Sequence, residues 1–181
     1  MTTSAASAQK ALYIPNEWKA QRTDTLLYKE TDTENKYTWS KSRSKESDNF
    51  IVYWDKYYGN TIPTNAPSTY KVDVDDLLKK AEKFYATNIN RLGMVVVDKP
   101  ESHKSRLHQY KMSIYLLYPG THDGVTIDNW VATGAGNDNV IGTLWITPAT
   151  CHPVGSTIAH EIGHSFQYQT YCDNIINGKS N

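Results

Sequence analysis

Two histidines and a glutamate near the C-terminal end of the chain have the spacing of a metal-binding motif. His160, Glu161 and His164 form the pattern H-E-x-x-H. If the segment is helical, side chains four residues apart have Cβ atoms about 5–6 Å apart, so two imidazoles can bind one cation at roughly 2.0–2.1 Å per Zn–N bond. Glu161 follows the first histidine directly and can exchange a proton with a nearby water. The pattern therefore predicts zinc-assisted hydrolysis with Glu161 as the general base.

The helix that carries this pattern is predicted at residues 155–171. Ser156 or Thr157 is expected to cap its N-terminus by accepting a hydrogen bond from a backbone N–H. Side chains at four-residue steps share one face of a helix, so an apolar stripe should face a core while polar residues share another face. The apolar stripe is Ile158, Ile162 and Phe166, and the polar face is His160, His164, Gln167 and Tyr171.

Composition excludes several classes of partner. The chain has 181 residues, 19 basic and 19 acidic side chains and a formal net charge of zero. Because no Lys/Arg-rich block is present, we expect no nucleic-acid or membrane-surface partner. No apolar run is long enough to cross a bilayer, so no transmembrane segment is expected. The 13 tyrosines and five tryptophans favour a β-rich first half packed with amphipathic rings.

The two cysteines flank the predicted helix and are not expected to bond to each other. A helix over residues 155–171 spans about 25 Å. The four residues that separate Cys151 from the helix start reach back at most about 14 Å. The sulfur of Cys172 is therefore out of reach, and both thiols should be free.

The remaining elements follow from local patterns, and the chain divides into three parts. Strands are predicted at residues 49–54, 94–97, 110–118 and 140–147, and a helix at 73–93. The apolar run at 49–54 predicts a strand that is central in the sheet. The glycine-rich residues 133–139, T-G-A-G-N-D-N, match neither phosphate-binding fingerprint, so they are expected to form a mobile loop. The predicted parts are a flexible leader at 1–10, N-terminal strands and a wrapping segment at 11–45, and a catalytic subdomain at 46–181.

This order of elements resembles the N-terminal half of the zincin metallopeptidases. More narrowly, the segments S-D-N-F-I-V-Y-W, K-M-S-I-Y-L-L-Y and A-H-E-I-G-H-S-F-Q-Y, together with the Leu-Leu-Lys-Lys helix, resemble a secreted bacterial family of uncharacterised zincin-like proteins over residues 46–171. The resemblance implies an α+β fold in which a mixed, twisted sheet packs on a long helix and on the H-E-x-x-H helix.

The resemblance also implies a function. It implies a secreted or extracytoplasmic zinc peptidase that acts on peptides or proteins, glycoproteins included, with Zn²⁺ held by His160 and His164. In zincins the strand before the metal helix often borders the cleft and pairs with the substrate backbone. Carried over to this chain, that role falls on residues 140–147, and the pairing is β-augmentation in physical terms.

The third zinc ligand is not evident from the sequence. A catalytic zinc takes three protein ligands and a water. The metzincin pattern would place glycine and histidine three and six residues beyond His164, where this chain has Gln167 and Thr170. A gluzincin would use a later glutamate, but no glutamate follows Glu161.

Asp173 and His152 are the remaining candidates for the third ligand. Asp173 would lie about 13 Å along the helix axis from His164, so it can bind only if the chain turns back sharply. His152 precedes the helix and could approach His160. Alternatively, residues 46–181 are the N-terminal subdomain of a longer peptidase whose C-terminal part supplies the ligand.

Other interpretations of the same residues stay open. Tyr168 or Tyr171 could donate a phenolic hydrogen bond to a developing oxyanion, although capping or packing of the helix end is the simpler role for each. The protein could also be a non-catalytic binding module that recognises a glycan or another protein. In a third interpretation, His160 and His164 form hydrogen bonds only and bind no metal.

Overall fold

A computed structural model describes residues 9–21, 39–97 and 105–178. Residues 1–8 of the predicted leader and residues 22–38 of the predicted wrapping segment lie outside the described part. Within that part, the chain is a mixed α+β structure, as predicted. None of the described helices is both long and apolar enough to cross a bilayer.

Most of the described strands form one mixed sheet. Its central strands β3, β4 and β8 are parallel, whereas β2 and β7 pair antiparallel at the two ends, in the order β2-β3-β4-β8-β7. The short strand β1 pairs parallel with the start of β4, and β5 and β6 form a separate hairpin. The strands are β1 (Ala11–Leu12), β2 (Ser44–Glu46), β3 (Phe50–Trp54), β4 (Tyr110–Leu116), β5 (Gly120–His122), β6 (Val125–Ile127), β7 (Ala132–Asn137) and β8 (Ile141–Ile146).

Three α-helices accompany the sheet. They are α1 (Asn16–Gln21), α2 (Val74–Ala86) and α3 (Ser156–Ile176), and single 3-10 turns occur at Lys41–Arg43, Lys56–Tyr58, Pro63–Asn65, Arg106–His108 and Pro148–Cys151. The predicted helix at 73–93 is confirmed as α2 with a π-helical extension, Thr87–Arg91. Asp73 caps α2 by accepting a hydrogen bond from the N–H of Asp76.

The alternation of side chains along the central strands builds a different core on each face of the sheet. In β3, Phe50, Val52 and Trp54 pack with α2 and α3 in the larger core. Ile51 and Tyr53 point the other way and pack with Trp18 of α1 in a smaller aromatic cluster. Because both faces are covered, β3 is buried along its whole length, which confirms the prediction of a central strand.

The N-terminal segment is tied to the tip of the β7–β8 hairpin. A carboxylate oxygen of Asp138 accepts hydrogen bonds from the Tyr13 hydroxyl at 2.9 Å and from the Asn16 backbone N–H at 2.7 Å. The segment thereby crosses the aromatic face of the sheet. Strand β2 spans the predicted boundary between residues 45 and 46 and pairs with β3.

The prediction of a strand at residues 94–97 is wrong. These residues are apolar and β-branched, but the structure gives them no strand partner. Instead, the N–H of Met94 donates to the carbonyl of Asn88, and its own carbonyl accepts a hydrogen bond from Thr170 of α3. Contacts with two helices therefore replace sheet pairing, and Val95 is buried in the larger core.

The prediction of a mobile loop at residues 133–139 is also wrong. Residues 132–137 form β7, and a tight turn at Asp138 and Asn139 leads directly into β8. Both turn residues have positive φ, 54° and 56°, and the Val140 N–H donates to the Asn137 carbonyl, which is the type I′ hairpin geometry. Asp and Asn tolerate this left-handed conformation, so the turn needs no glycine.

The start of α3 differs from the prediction, whereas its core face and the cysteines agree with it. Gly155 occupies the N-cap position and no side chain caps the helix, so neither Ser156 nor Thr157 has the predicted role. Cys151 and Cys172 are free and buried, which confirms the absence of a bridge. Burial raises the pKa of the Cys151 thiol to about 12 and that of Cys172 to about 11.

Candidate functional site

Helix α3 presents the H-E-x-x-H residues on its exposed side because its apolar stripe is anchored in the core. Ile158, Ile162 and Phe166 are fully buried under the sheet. His160 and His164 lie on the opposite side and are exposed to solvent. The predicted amphipathic arrangement of this helix is confirmed.

The two histidine rings meet at their Nε2 atoms. The Nε2 atoms of His160 and His164 are 2.9 Å apart, and the rings are nearly perpendicular, with centroids 4.5 Å apart. Two nitrogens bound to one tetrahedral zinc at 2.0–2.1 Å are about 3.3 Å apart. If the two Nε2 atoms moved apart by a few tenths of an ångström, this hydrogen-bonded pair would become a pair that chelates one zinc ion.

Gln167 orients the second histidine. Its Oε1 atom lies 2.8 Å from Nδ1 of His164. Because an amide oxygen can only accept, Nδ1 of His164 carries the proton and its Nε2 atom keeps a lone pair that faces His160. This is the arrangement in which a second residue fixes the tautomer of a metal-binding histidine. The sequence placed Gln167 on the same face without assigning it this role, although the i, i+3 spacing could have indicated it.

Glu161 points to the other flank of α3 and reaches strand β7. Its Oε2 atom accepts the backbone N–H of Gly134 at 2.8 Å. The helix and the strand are very close here, because a Cβ atom on Gly134 would lie 1.9 Å from the Glu161 carbonyl oxygen. Only glycine permits this approach, which holds the Glu161 carboxylate against strand β7.

Strand β7 is the open edge of the sheet beside this carboxylate. Thr147 N–H donates to the Val131 carbonyl, so the alternation of an antiparallel ladder directs the backbone groups of Ala132, Gly134 and Gly136 outward. Within the described residues no strand pairs with that outer edge. The donation from Gly134 to Glu161 agrees with this alternation.

The strand expected to border a cleft was therefore misassigned. The prediction placed residues 140–147 at the cleft, but β8 in that region is flanked by β4 on one side and β7 on the other. Its backbone groups are already engaged in both ladders. The strand that directly precedes it, β7, has the free edge instead.

The candidates for a third ligand lie apart from the histidine pair. His152 is exposed, and its Nε2 atom is 2.8 Å from the Lys71 carbonyl oxygen. Asp173 stays on α3, which runs to Ile176 without turning back, and accepts a hydrogen bond from Gln169. Across residues 9–21, 39–97 and 105–178 no group of three or more His, Cys, Asp or Glu side chains is placed to hold a metal ion.

The two tyrosines lie further along α3. The Tyr168 hydroxyl donates to Oδ1 of Asn139 in the hairpin turn at 2.9 Å, and its ring covers Gly136. Burial and the neighbouring Cys172 raise the pKa of Tyr168, although a hydrogen bond with the backbone of Asn139 opposes the shift. Tyr171 is exposed, and its ring lies against that of Tyr168. This geometry fits packing and anchoring of the hairpin.

A recess opens on the flank of α3 opposite to β7. It has a volume of about 350 Å³ and lies between α3 and the π-helical end of α2. Both His160 and His164 form part of its wall, together with Gly163. The histidine pair thus stands between a strand edge and a recess.

Comparison with known proteins gives a family but no described relative. The chain matches the model of a family of unknown function, DUF6055, over residues 4–181. No curated protein and no solved structure matches it. Since the match covers nearly the whole chain, the protein belongs to the DUF6055 family.

Proposed function

We propose that this protein is a zinc-dependent peptidase with the zincin arrangement of a metal helix beside an edge strand. The observation that carries the proposal is the convergence of the Nε2 atoms of His160 and His164 to 2.9 Å on the helix that also carries Glu161. A secreted location is part of the same proposal.

The residues present fit one half of a zinc site. His160 and His164 would hold the ion through their Nε2 atoms, and Gln167 keeps the second ring in the required tautomer. Zinc, when bound, polarises a substrate carbonyl and makes a bound water more acidic. A third protein ligand would have to come from outside the described residues.

Strand β7 would hold the substrate. The outward carbonyl and N–H groups of Ala132 and Gly136, with the Gly134 carbonyl, can form an antiparallel ladder with an extended peptide. Such pairing places the peptide backbone directly over Glu161.

Glu161 would move the proton of the reaction. The carboxylate accepts a proton from the attacking water as its oxygen bonds to the peptide carbonyl carbon. It then gives that proton to the nitrogen as the C–N bond breaks, so the products are a carboxylic acid and an amine, and the acid's proton passes to the amine at neutral pH. The Gly134 N–H donates to Oε2 and so fixes the orientation of the carboxylate against strand β7.

A pair of variants tests the proposal. Glu161→Gln should reduce peptide hydrolysis by about 10²–10⁴-fold while zinc still binds, because general-base catalysis contributes that much. His160→Ala should abolish zinc binding as well, since one ligand of the pair is lost. Hydrolysis is measured by mass spectrometry on a mixed peptide pool, and zinc binding by titration calorimetry.

The matched control for the loss of one carboxylate is Asp128→Asn, an exposed position outside the site. It should leave both hydrolysis and zinc binding unchanged. The proposal is rejected if the wild-type protein binds no zinc, or if Glu161→Gln hydrolyses peptides as fast as the wild type.

A binding module without catalysis is a second candidate, supported by one feature. The Trp130 side chain is 64 % exposed, although its neighbours are fixed by buried Thr147, whose hydroxyl bonds to Asn129 and Val131. A rigidly held, exposed indole is suited to stacking on a sugar ring or on an apolar side chain. Glycan binding that Trp130→Ala removes, in a protein that hydrolyses nothing, would favour this function.

A further inference from the structure

The recess beside the histidine pair is lined mainly by apolar groups. Phe84, Leu92 and Met94 form its wall on the α2 side, and Ala159 and Gly163 form its floor on α3. Leu92 stands at its rim and is 63 % exposed. An apolar rim of this kind gains free energy when a ligand covers it.

Two local features keep the recess open. At Gly163, a Cβ atom would meet nothing within 4 Å, so the absence of a side chain leaves real space at the helix surface. On the other side, α2 widens into the π-helical turn Thr87–Arg91 before the chain leaves it. π-Helical turns of this kind are frequent at functional sites.

The lining also determines which side chain fits. Among the described residues, the two histidines are the titratable side chains that line the recess. The amide of Asn88 is turned away, because its Nδ2 donates to the Phe84 carbonyl. A Lys or Arg side chain would lose water here without meeting a carboxylate, which disfavours both.

We infer that this recess is a specificity pocket that accepts one uncharged apolar side chain, such as leucine or phenylalanine, from the peptide next to the bond that is cleaved. The inference rests on the proposed peptidase function. Its volume, about 350 Å³, exceeds the roughly 150 Å³ of a cavity that holds benzene, so a leucine or phenylalanine side chain fits. Because His160 and His164 form part of its wall, the occupying residue lies directly beside the reacting bond.

Peptide binding tests this pocket independently of hydrolysis. The probes are blocked hexapeptides of alanine and glycine with one central position occupied by Leu, Phe, Gly or Lys. Binding to the full chain is measured by calorimetry with and without added zinc, and cleavage is followed separately by mass spectrometry. The Leu and Phe peptides should bind at least about tenfold more tightly than the Gly and Lys peptides.

Filling the pocket should remove this preference. Gly163→Leu places a side chain in the open space, and Gly163→Ala does so to a smaller degree, so the preference should fall in that order. Ser156→Leu adds the same bulk at an exposed position of α3 outside the recess and should retain the wild-type preference. Circular dichroism verifies that each variant is folded.

The outcomes separate the two proposals. A preference that disappears in Gly163→Leu without any cleavage by the wild type supports the pocket and rejects the peptidase. Cleavage without a preference, or with one that Gly163→Leu leaves intact, supports the peptidase and rejects the pocket. Failure of all peptides to bind also rejects the pocket.

Discussion

The two flanks of helix α3 are built in opposite ways. On the β7 flank, the helix and the strand touch at backbone distance, and hydrogen bonds join Glu161 to Gly134 and Tyr168 to Asn139. On the α2 flank, the space beside Gly163 stays open, and the hydrogen bond from Thr170 to the Met94 carbonyl lies further along α3. One helix therefore has a fixed side and an adaptable side.

The comparison shows that glycine has two opposite roles around this site: it allows close packing on one flank and leaves open space on the other. Gly134, Gly136 and Gly142 lie on the sheet, where a Cβ atom would collide with α3, so these glycines bring two elements together. Gly163 lies on the helix and faces empty space, so it holds a gap open. A fixed side suits the orientation of a proton-transferring carboxylate, whereas an adaptable side suits the selection of a side chain.

The largest effect is expected from adding one methyl group on the fixed flank. Gly134→Ala would place Cβ 1.9 Å from the Glu161 carbonyl oxygen, so the strand must move away from the helix. We expect a loss of about 3 kcal/mol in the free energy of unfolding, at the upper end for overpacking. Urea denaturation measures it, and an unchanged stability would show that the two flanks are equally adaptable.

A buried glutamine gives the next largest effect. Gln169 is fully buried; its Oε1 accepts the Gly142 N–H at 2.9 Å and its Nε2 donates to the Val140 carbonyl at 3.2 Å. Gln169→Leu leaves these groups of β8 without partners, which should cost about 2 kcal/mol. Urea denaturation should show this loss clearly.

Gln167→Leu is the matched control, because this exposed glutamine lies on the same helix and contacts His164 instead. Its stability should stay within about 0.5 kcal/mol of the wild type. Equal losses in Gln167→Leu and Gln169→Leu would contradict the assignment of the fixed flank.

Local patterns predicted the elements that carry the site but not the contacts between them. The four-residue apolar steps of Ile158 and Ile162 identified α3, and the continuous apolar run of β3 identified a central strand. The glycines of residues 133–139 were misinterpreted as mobility, although Gly134 and Gly136, two residues apart, lie on one face of a strand. The role of these glycines depends on their contact with helix α3, which is distant in sequence and therefore cannot be inferred from a short segment.

The same limit applies to the site. The H-E-x-x-H spacing alone placed His160, His164 and Glu161 together on one helix. The contact between Glu161 and Gly134, and the recess next to Gly163, depend on elements distant in sequence. Their relative positions follow from the sheet order and the packing of α2 on α3, which residue spacing does not determine.

On the open flank, adding one methyl group should raise the free energy of unfolding, whereas Gly134→Ala on the fixed flank should lower it. Gly163→Ala meets no neighbouring atom and replaces the poorest non-proline helix former by the best one. We expect the free energy of unfolding to rise by up to about 1 kcal/mol. Comparison of Gly163→Ala with Gly134→Ala in one urea titration measures the contrast directly, and destabilisation of both would show that the recess closes in solution.

The smallest effect is expected where the fixed flank reaches solvent. Tyr168→Phe removes the hydroxyl that donates to Asn139 and should lower the free energy of unfolding by about 0.5–1 kcal/mol, since this hydrogen bond is exposed. Tyr171→Phe is the control, because Tyr171 is an exposed tyrosine of the same helix whose hydroxyl makes no comparable bond within the described residues.

Amide hydrogen exchange at β7 in Tyr168→Phe and Tyr171→Phe distinguishes the hydrogen bond of Tyr168 from the packing of its ring. If Tyr168 anchors the hairpin, its loss should speed amide exchange at Asn137 and Val140, next to the turn, more than at Gly134, which Glu161 still holds. Equal acceleration in Tyr168→Phe and Tyr171→Phe would mean that the ring packing, not the hydrogen bond, holds the hairpin against α3.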